Sequence, residues 1–532
     1  MSTSLIPESA PFTKEQRAWL NGFFSGMMGM QSNGDSAAAM QVAAAGGLNT
    51  LEPQQAIEAA EEEEDFPWHD DSLPIVDRME LAKERPMERQ LMAAMAQLNC
   101  GSCGYLCQTY AEAIASGEES NLTLCSPGGK ETAKMVKKLV KASGGASTGA
   151  AKSAEPSADS GYSRKRPYEA TLLESRPLNG PGSAKDTRHV VIDLADSGIH
   201  YEVGDALGVY PSNCCDLAKQ VIQCIEADPQ SSVTVSDGVE VQLLDALCHH
   251  YCLKDPSDEL LELMISDVRD SSVKGRLVAM LEDGVPEGYD VLDVLQEVQG
   301  MPVDVKSFLE TLGPMNARLY SIASSQKQVG NQVCLTVGKV AYDREGRLRK
   351  GVASTMLAER LSPGDSIRVF TQPNHGGFTV PEKTDVPMIM VGPGTGIAPF
   401  LAFLQERKAT AAPGDNWLFF GDQHESCDFL YKEELDSYTS DGTLNRLDTA
   451  FSRDGESKVY VQDRMRQQAE ELYRWLERGA VFYVCGDAKR MAVDVDRALV
   501  EIIADQAGLS LEDAQAYVKQ LSADKRYVRD VY

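Results

Sequence analysis

Three cysteines fall within eight residues of "NCGSCGYLCQTYAEAI", and a fourth follows in "NLTLCSPGG". The spacing is C-x2-C-x3-C-x17-C over Cys100, Cys103, Cys107 and Cys125, with Gly101 and Gly104 free to let the chain wrap tightly. The amino-terminal "MSTSLIPESAPF" lacks the basic flank and apolar core of a secretory signal, which predicts a cytoplasmic protein. In that compartment clustered thiols point to metal or redox chemistry more than to disulfides. Four thiolates can hold a [4Fe–4S] cube, the distant fourth cysteine closing the site. Structural zinc is the rival that the same ligands allow. The remaining cysteines are scattered, and for most of them a small buried hydrophobe is expected.

A second group of patterns runs through the back of the chain. In order they are "RLYSIASS", "GVAST", "VGPGTGIAPF", "WLFFGDQH", "FSRDGESKVYVQ", "YVCGDAKRMAVDV" and the terminal "RYVRDVY". In a strand, Arg318 and Tyr320 share one face, offering a phosphate partner beside an aromatic surface. "GVAST" supplies bare backbone and two hydroxyls, so that Ser354 and Thr355 can start a helix against phosphate. "GPGTGIAPF" follows an apolar strand and opens a helix, with Pro399 suited to the first turn. It is not G-x-G-x-x-G, because Ile397 stands at the third glycine position. "SRDGESK" places Ser452, Arg453 and Lys458 after a strand-like run, where a dinucleotide carrying an added 2′-phosphate needs cations. Any one of these patterns reads equally well as ordinary strand or surface charge; the ordered set does not.

Together, from residue 162 to 532, these motifs closely resemble the FAD/NADPH half of NADPH–sulfite reductase flavoprotein (alpha) subunits, within the ferredoxin–NADP+ reductase-like superfamily. The resemblance implies an NADPH-dependent oxidoreductase of the assimilatory sulfite reductase type. It implies that FAD is lined by Arg318, Leu319, Tyr320 and Ser321, by Thr336, Val337, Gly338 and Tyr342, and by Gly351, Val352, Ala353, Ser354 and Thr355. It places NADPH against Gly394, Thr395, Ser452, Arg453 and Lys458, with Tyr460 and Gln462 alternating on the next strand and Asp494 making a further contact. Ser321, Cys485 and Asp530 are implied to converge where hydride passes, with the polarizable Cys485 sulfur helping to hold the nicotinamide in place. Tyr532 is implied to stack on the flavin as a gate. A packed core cysteine is the plainer reading of Cys485.

The string "CGSCGYLCQTYAEAIASGE…CSPGG" resembles a small four-cysteine iron–sulfur domain of bacterial redox subunits, with three residues between its second and third cysteines where that domain commonly has four. It stands where diflavin relatives carry a flavodoxin-like FMN domain. The implied path runs from NADPH to FAD to the cluster and on to a separate acceptor. That acceptor is the sirohaem subunit of assimilatory sulfite reductase or, alternatively, another assimilatory enzyme such as a molybdenum nitrate reductase.

These residues require positioning elements, and the chain shows clear seams. "RPMERQLMAAMAQL" and "GGKETAKMVKKLVKA" read as helices on either side of the cysteines. From Ala142 to Gly161 the composition is that of a flexible tether, which as a random coil would span about 25 Å. Beyond it, "YEATLLESRPL", "RHVVIDLADSGIHY" and "NQVCLTVGKVAYD" alternate like strands. From 386 onward, apolar strand runs alternate with helical ones, which predicts a parallel sheet with ligands at the carboxyl ends of its strands. The fold class expected is α/β multidomain. It has a helical segment with an iron–sulfur domain over 1–141, a linker over 142–161, an antiparallel FAD-binding β-barrel over 162–384 with a helical insertion at about 213–315, and a doubly wound NADP-binding domain over 385–532.

Bulk properties exclude other classes. The 532 residues carry a net charge of −29, so a nucleic-acid backbone would be repelled. The longest apolar runs, such as "LMAAMA" and "VPMIMV", are far too short to span a bilayer. No nucleic acid and no membrane are therefore expected as partners.

Overall fold

The computed structural model describes residues 67–142 and 161–532, apart from 69–72, 99–100, 102, 120, 126, 236–237, 299–302 and 375–376. The run "PFTKEQRAWLNGFFSGMMG", whose apolar spacing predicts a helix, the acidic run "AAEEEED" before Phe66, Cys100 and all but the ends of the tether lie outside the described residues. The described part forms one unit, Pro67–Tyr532.

Four helices come first: α1 (Ile75–Leu81), α2 (Met87–Ala94), α3 (Cys107–Ala115) and α4 (Gly129–Ala142). Prolines 74 and 86 directly precede α1 and α2, where a missing N–H costs no helical bond. The apolar run that ends α2 is buried from Leu91 to Met95. Thr132 on α4 donates to the Ala94 carbonyl at 2.8 Å, fastening α4 to the end of α2.

The antiparallel part follows with β1 (Tyr168–Pro177), β2 (Thr187–Asp193) and β3 (Ala206–Val209). The helical insertion then contains α5 (Cys215–Cys224), α6 (Leu243–His249), α7 (Asp258–Asp267), α8 (Ser271–Asp283), α9 (Val291–Glu297) and α10 (Val305–Glu310). Its last four helices start at Ser257, Asp270, Asp290 and Asp304, whose side chains accept the first free backbone N–H groups. A small hairpin between α5 and α6, β4 (Ser232–Thr234) with β5 (Glu240–Gln242), is not apparent in the helical sequence pattern.

After the insertion come β6 (Arg318–Ser321), α11 (Gln326–Val329), β7 (Gln332–Gly338), β8 (Ala341–Arg344), β9 (Arg347–Lys350), α12 (Val352–Thr355) and β10 (Ser366–Gln372). The sheet runs β6-β3-β10-β1-β2-β7, every pair antiparallel. An isolated bridge, Ile322 to Leu335, joins its two end strands. The alternating apolar positions Leu172, Val190, Ile192, Leu207, Leu335 and Val369 meet in one core. The long run "NQVCLTVGKVAYD" breaks at Lys339 into β7 and the separate hairpin β8–β9.

The last part contains β11 (Met388–Val391), a 3-10 turn (Gly394–Ile397), α13 (Ala398–Ala409), β12 (Asn416–Asp422), α14 (Glu425–Asp428), α15 (Lys432–Ser440) and β13 (Arg446–Phe451). Then follow α16 (Val461–Gln467), α17 (Ala469–Glu477), β14 (Val481–Gly486), α18 (Met491–Ala507), α19 (Leu511–Ala523) and β15 (Tyr527–Val531). All five strands are parallel, in the order β13-β12-β11-β14-β15. Ile389, Val391, Trp417, Phe419 and Phe482 enter one core, and their alternates Met388, Met390, Leu418, Phe420 and Tyr483 enter another. Burial on both faces is why these strands read as unbroken apolar runs. Among the described residues no helix is long and apolar enough to cross a membrane.

One local expectation is overturned. Tyr460 and Gln462 do not alternate on a strand; Tyr460 precedes α16 and Gln462 lies in its first turn. The Asp463 carboxylate accepts from the Tyr460 N–H at 2.9 Å, so a side chain in the first turn caps a helix there.

Candidate active site

A cavity of about 1930 Å3 is walled by Arg318, Leu319, Tyr320 and Ser321 of β6, by Thr336 and Gly338 of β7, and by Gly351–Ser354. Gly394, Thr395, Asp530 and Tyr532 complete that wall, and so do Cys103 and Cys125. Residues from both sheets and from the cysteine segment thus face a single space.

Arg318 donates from Nη1 to the carbonyls of Asn316 and Ala317 at 3.0 and 3.2 Å. Its Nε and Nη2 have no protein partner among the described residues, which leaves N–H groups for an anion on the cavity wall. Tyr320 is pushed up by burial, which keeps its ring neutral. At "GVAST", a side chain added to Gly351 would meet Ser354 Oγ at 2.6 Å and Val340 Cβ at 3.0 Å, so bare backbone is required. Helix α12 begins at Val352, two residues earlier than a start at Ser354. Ser354 Oγ accepts from the Val340 N–H at 3.1 Å, and Thr355 Oγ1 donates to the Gly351 carbonyl at 2.7 Å. An unpaired guanidinium edge, a neutral aromatic ring and a glycine cradle fit a flavin dinucleotide.

Ser321, Cys485 and Asp530 do come together. Ser321 Oγ donates to Asp530 Oδ2 at 2.8 Å, and Cys485 Sγ approaches the same oxygen at 3.8 Å. Parallel pairing of β14 with β15 sets Cys485 opposite Asp530. Burial pushes the Asp530 carboxyl up, while the hydrogen bonds from Ser321 and Cys485 pull the other way. Burial, with the Asp530 charge behind it, holds the Cys485 thiol well above its ordinary range. The trio is therefore a protonated thiol and a hydroxyl oriented by one carboxylate oxygen.

Tyr532 is 42 % exposed. Its hydroxyl lies 2.8 Å from Thr395 Oγ1, and its backbone N–H donates to the Gly486 carbonyl at 3.0 Å. The glycine-rich turn after β11 presses against β14 so closely that a side chain on Gly396 would run into the Cys485 carbonyl. Not every expected residue faces the cavity. Val337 lies in the antiparallel core, and Tyr342 stands 47 % exposed on hairpin β8–β9. The Thr336 hydroxyl is engaged by Tyr431 at 2.8 Å, and His189 Nδ1 approaches that same phenol at 3.0 Å.

Ser452, Arg453, Lys458, Tyr460, Gln462 and Asp494 also stand outside the cavity wall. Ser452 follows β13 at its carboxyl end, where its Oγ donates to the Asp422 carbonyl at 3.2 Å. The exposed Arg453 and Lys458 side chains make no ion pair among the described residues, as a site for an added phosphate requires. Asp494 pairs with Arg497 at 3.1 Å on α18. Lys185 and Asp422, not among the site residues expected from the sequence, face each other at 2.5 Å on the cavity wall. Asp422 ends β12, at the carboxyl edge where ligands of parallel sheets collect, and that position was the available signal.

The cysteine segment rests on the strand that carries Arg318. A side chain on Gly101 would meet Leu319 Cβ at 2.5 Å, and one on Gly104 would strike the Ala317 carbonyl. Arg164 seats this loop: its guanidinium lies 3.4 Å from the Tyr105 ring centre, donates to the Gly104 carbonyl, and reaches Asn316 Oδ1 at 3.2 Å. Lys165 pairs with Glu118 at 2.7 Å, and Lys137 with Asp258 at 3.0 Å. Cys103 and Cys107 are half-buried and Cys125 is buried. Gly101 and Gly104 take φ of 63° and 82°, a region that suits glycine. Burial first, and then Cys103, Glu119 and Cys125 nearby, push the Tyr110 phenol up. Cysteine sulfurs on a tightly wrapped loop have the donor chemistry of a thiolate-bound cluster, although among the described residues no three metal-ligating side chains are gathered into a ready site.

Residues 160–356 match the family described as "FAD binding domain", residues 390–497 "Oxidoreductase NAD-binding domain", and residues 95–127 "Putative Fe-S cluster". The chain is 45 % identical over 380 residues to the sulfite reductase [NADPH] flavoprotein alpha-component of Bacillus subtilis (strain 168), covering 71 % of this chain and 63 % of that one. It is 44 % identical over 381 residues to the protein of the same name from Vibrio cholerae serotype O1 (strain N16961), covering 71 % and 61 %. It is 42 % identical over 377 residues to that from Salmonella typhimurium (strain LT2), covering 70 % and 62 %. It spans about three fifths of the length of these curated relatives. An FAD-binding domain and an NAD-binding domain, preceded by a segment of an Fe-S family, thus build a chain that over most of its length is similar to sulfite reductase flavoprotein alpha-components.

Proposed function

We propose that this chain is the NADPH-oxidising flavoprotein component of an assimilatory sulfite reductase, passing electrons through a cysteine-bound [4Fe–4S] cluster to a separate sirohaem subunit. The observation that carries this reading is the shared cavity, whose wall includes Arg318–Ser321, Gly394–Thr395 and Tyr532 together with Cys103 and Cys125. When bound, FAD accepts a hydride from NADPH and releases electrons singly, chemistry that belongs to the cofactor. The protein's own task is placement. Arg318 and the Gly351–Ser354 turn would hold phosphate oxygens, Tyr320 and Tyr532 would offer ring faces, and Asp530 keeps the Ser321 proton and the Cys485 thiol in fixed orientations. Arg453 and Lys458 supply the charge that favours a 2′-phosphate. The bridge between the end strands of the antiparallel sheet supports a closed barrel as the flavin scaffold.

The seating of Gly101 and Gly104 on β6 favours a relay that works in place, against the swinging domain that the tether composition implies. Cys100, Cys103, Cys107 and Cys125 would hold the cluster. Changing Cys103 to Ser tests this reading. NADPH-driven ferricyanide reduction should persist, because that dye can take electrons from the reductase half, while delivery to the sirohaem subunit collapses. A folded, iron-free variant that supports full partner turnover would remove the cluster from the path.

A further inference from the structure

Helices α5 and α6 bring together two thiols that play no part in the chemistry above. Cys215 opens α5 and is exposed, whereas Cys248 lies in α6 and is 3 % exposed. Their sulfurs stand 3.3 Å apart across 33 residues of sequence. A disulfide needs about 2.05 Å between sulfurs, so closing this pair shortens the gap by about 1 Å.

The surroundings are equally specific. Arg360 is within electrostatic reach of Cys214, Cys215 and Cys248. It donates from Nη1 to the Ser212 carbonyl at 2.8 Å and from Nη2 to the Val352 carbonyl at 2.5 Å. Arg360 Nε is buried with no hydrogen-bond partner, and so is Asn213 Oδ1. The neighbouring Asn213 otherwise anchors the turn, taking the Cys248 carbonyl with its N–H at 2.7 Å and the Leu247 carbonyl with Nδ2 at 2.6 Å. A cationic edge, one reachable thiol and a second thiol in van der Waals contact are the parts of a reactive dithiol.

We propose that Cys215 and Cys248 form a reversible disulfide by exchange with low-molecular-weight disulfides. The Cys215 thiolate attacks one sulfur of the small disulfide, forming a mixed disulfide and releasing one thiolate. Cys248 then attacks the Cys215 sulfur, its proton leaving with the second small thiol. The protein loses two electrons and two protons, and one small disulfide becomes two thiols. Burial and the adjoining Cys215 sulfur push the Cys248 thiol up, so Cys215 serves as the first attacker and Cys248 as the resolving group. The resulting bond would tie α5 to α6 beside Arg360, which holds the Val352 carbonyl at the cavity wall.

Treating the reduced full-length protein with glutathione disulfide, followed by alkylation and peptide mapping, tests this. The expected product is a Cys215–Cys248 cross-linked peptide with a chain mass two hydrogens lower, reversed by dithiothreitol. Cys248→Ser should stop at one glutathionyl group on Cys215, and Cys215→Ser should leave Cys248 unmodified. A glutathionyl group that persists on Cys215 in the unaltered protein, or pairing of Cys215 with Cys214, would overturn the proposal. None of these readouts depends on FAD, NADPH or iron, so their outcome is separate from that of the function proposed above.

Discussion

Asp530 Oδ2 carries two neighbours at once, the Ser321 hydroxyl at 2.8 Å and the Cys485 thiol at 3.8 Å, which makes it the hub of the candidate hydride site. Tyr532 closes the same wall, tied to Thr395 at 2.8 Å. If its ring acts as a gate that the nicotinamide must displace, Tyr532→Ala removes the need for the 2′-phosphate's extra binding energy to displace it and so helps NADH more than NADPH. An aromatic contact contributes on the order of 1 kcal/mol, so the kcat/KM preference for NADPH over NADH should fall roughly fivefold to tenfold. An unchanged ratio would reject the gate. Arg453 belongs to the same scale, since its exposed side chain has no ion pair among the described residues. Losing a charge-assisted hydrogen bond costs about 1.5–3 kcal/mol, so Arg453→Ala should raise KM for NADPH by roughly tenfold to a hundredfold and leave KM for NADH nearly fixed. Equal effects on both would take Arg453 out of that role.

Between elements, the His189–Tyr431–Thr336 chain joins β2 and β7 to the turn before α15, across the two sheets. Burial, and behind it the Arg176 charge, push the His189 imidazole down to about 4. The folded state therefore keeps this ring neutral while the unfolded chain protonates it below its ordinary value of 6.5. Its contribution to stability is fully present above pH 6.5 and is lost as pH falls towards about 4. Thermal melts of His189→Gln should show a shallower decline than the unaltered protein over that window. Parallel declines would show that His189 does not govern it.

For the whole molecule, the placement of the cysteine segment matters most. Arg164 stacks on Tyr105, bonds to Gly104 and Asn316, and is itself pinned where Tyr210 donates to its carbonyl at 2.7 Å. A desolvated cation–π contact contributes about 2 kcal/mol, enough on its own to shift a local opening equilibrium roughly thirtyfold. Arg164→Ala should therefore speed amide exchange around Gly104 and Leu106 and slow electron delivery to the partner, with NADPH–ferricyanide turnover unchanged. Protection at those amides as strong as in the unaltered protein would mean that Arg164 does not seat the loop.

Much of this was already determined by the sequence. Apolar runs such as "PMIMVG" and "AVFYVCGD" dictate strands buried on both faces, and their alternation with helical runs leaves a parallel sheet as the economical solution. "GVAST", "GPGTG" and the cysteine spacing mark where backbone must approach a ligand, because glycines and hydroxyls in those patterns serve that purpose locally. The tertiary structure alone decided which of these marks meet. Cys485 and Asp530 meet because β15 pairs with β14, and Ser321, 209 residues from Asp530, reaches that carboxylate from β6 of the other sheet, choices that no local preference encodes. At Tyr460, a strand-like alternation yielded to helix once Asp463 capped it. The contact of Gly101 with Leu319, and of Cys215 with Cys248, joins segments whose local patterns are silent about one another. Propensity and period act over a few residues, whereas such contacts are selected by how whole faces pack.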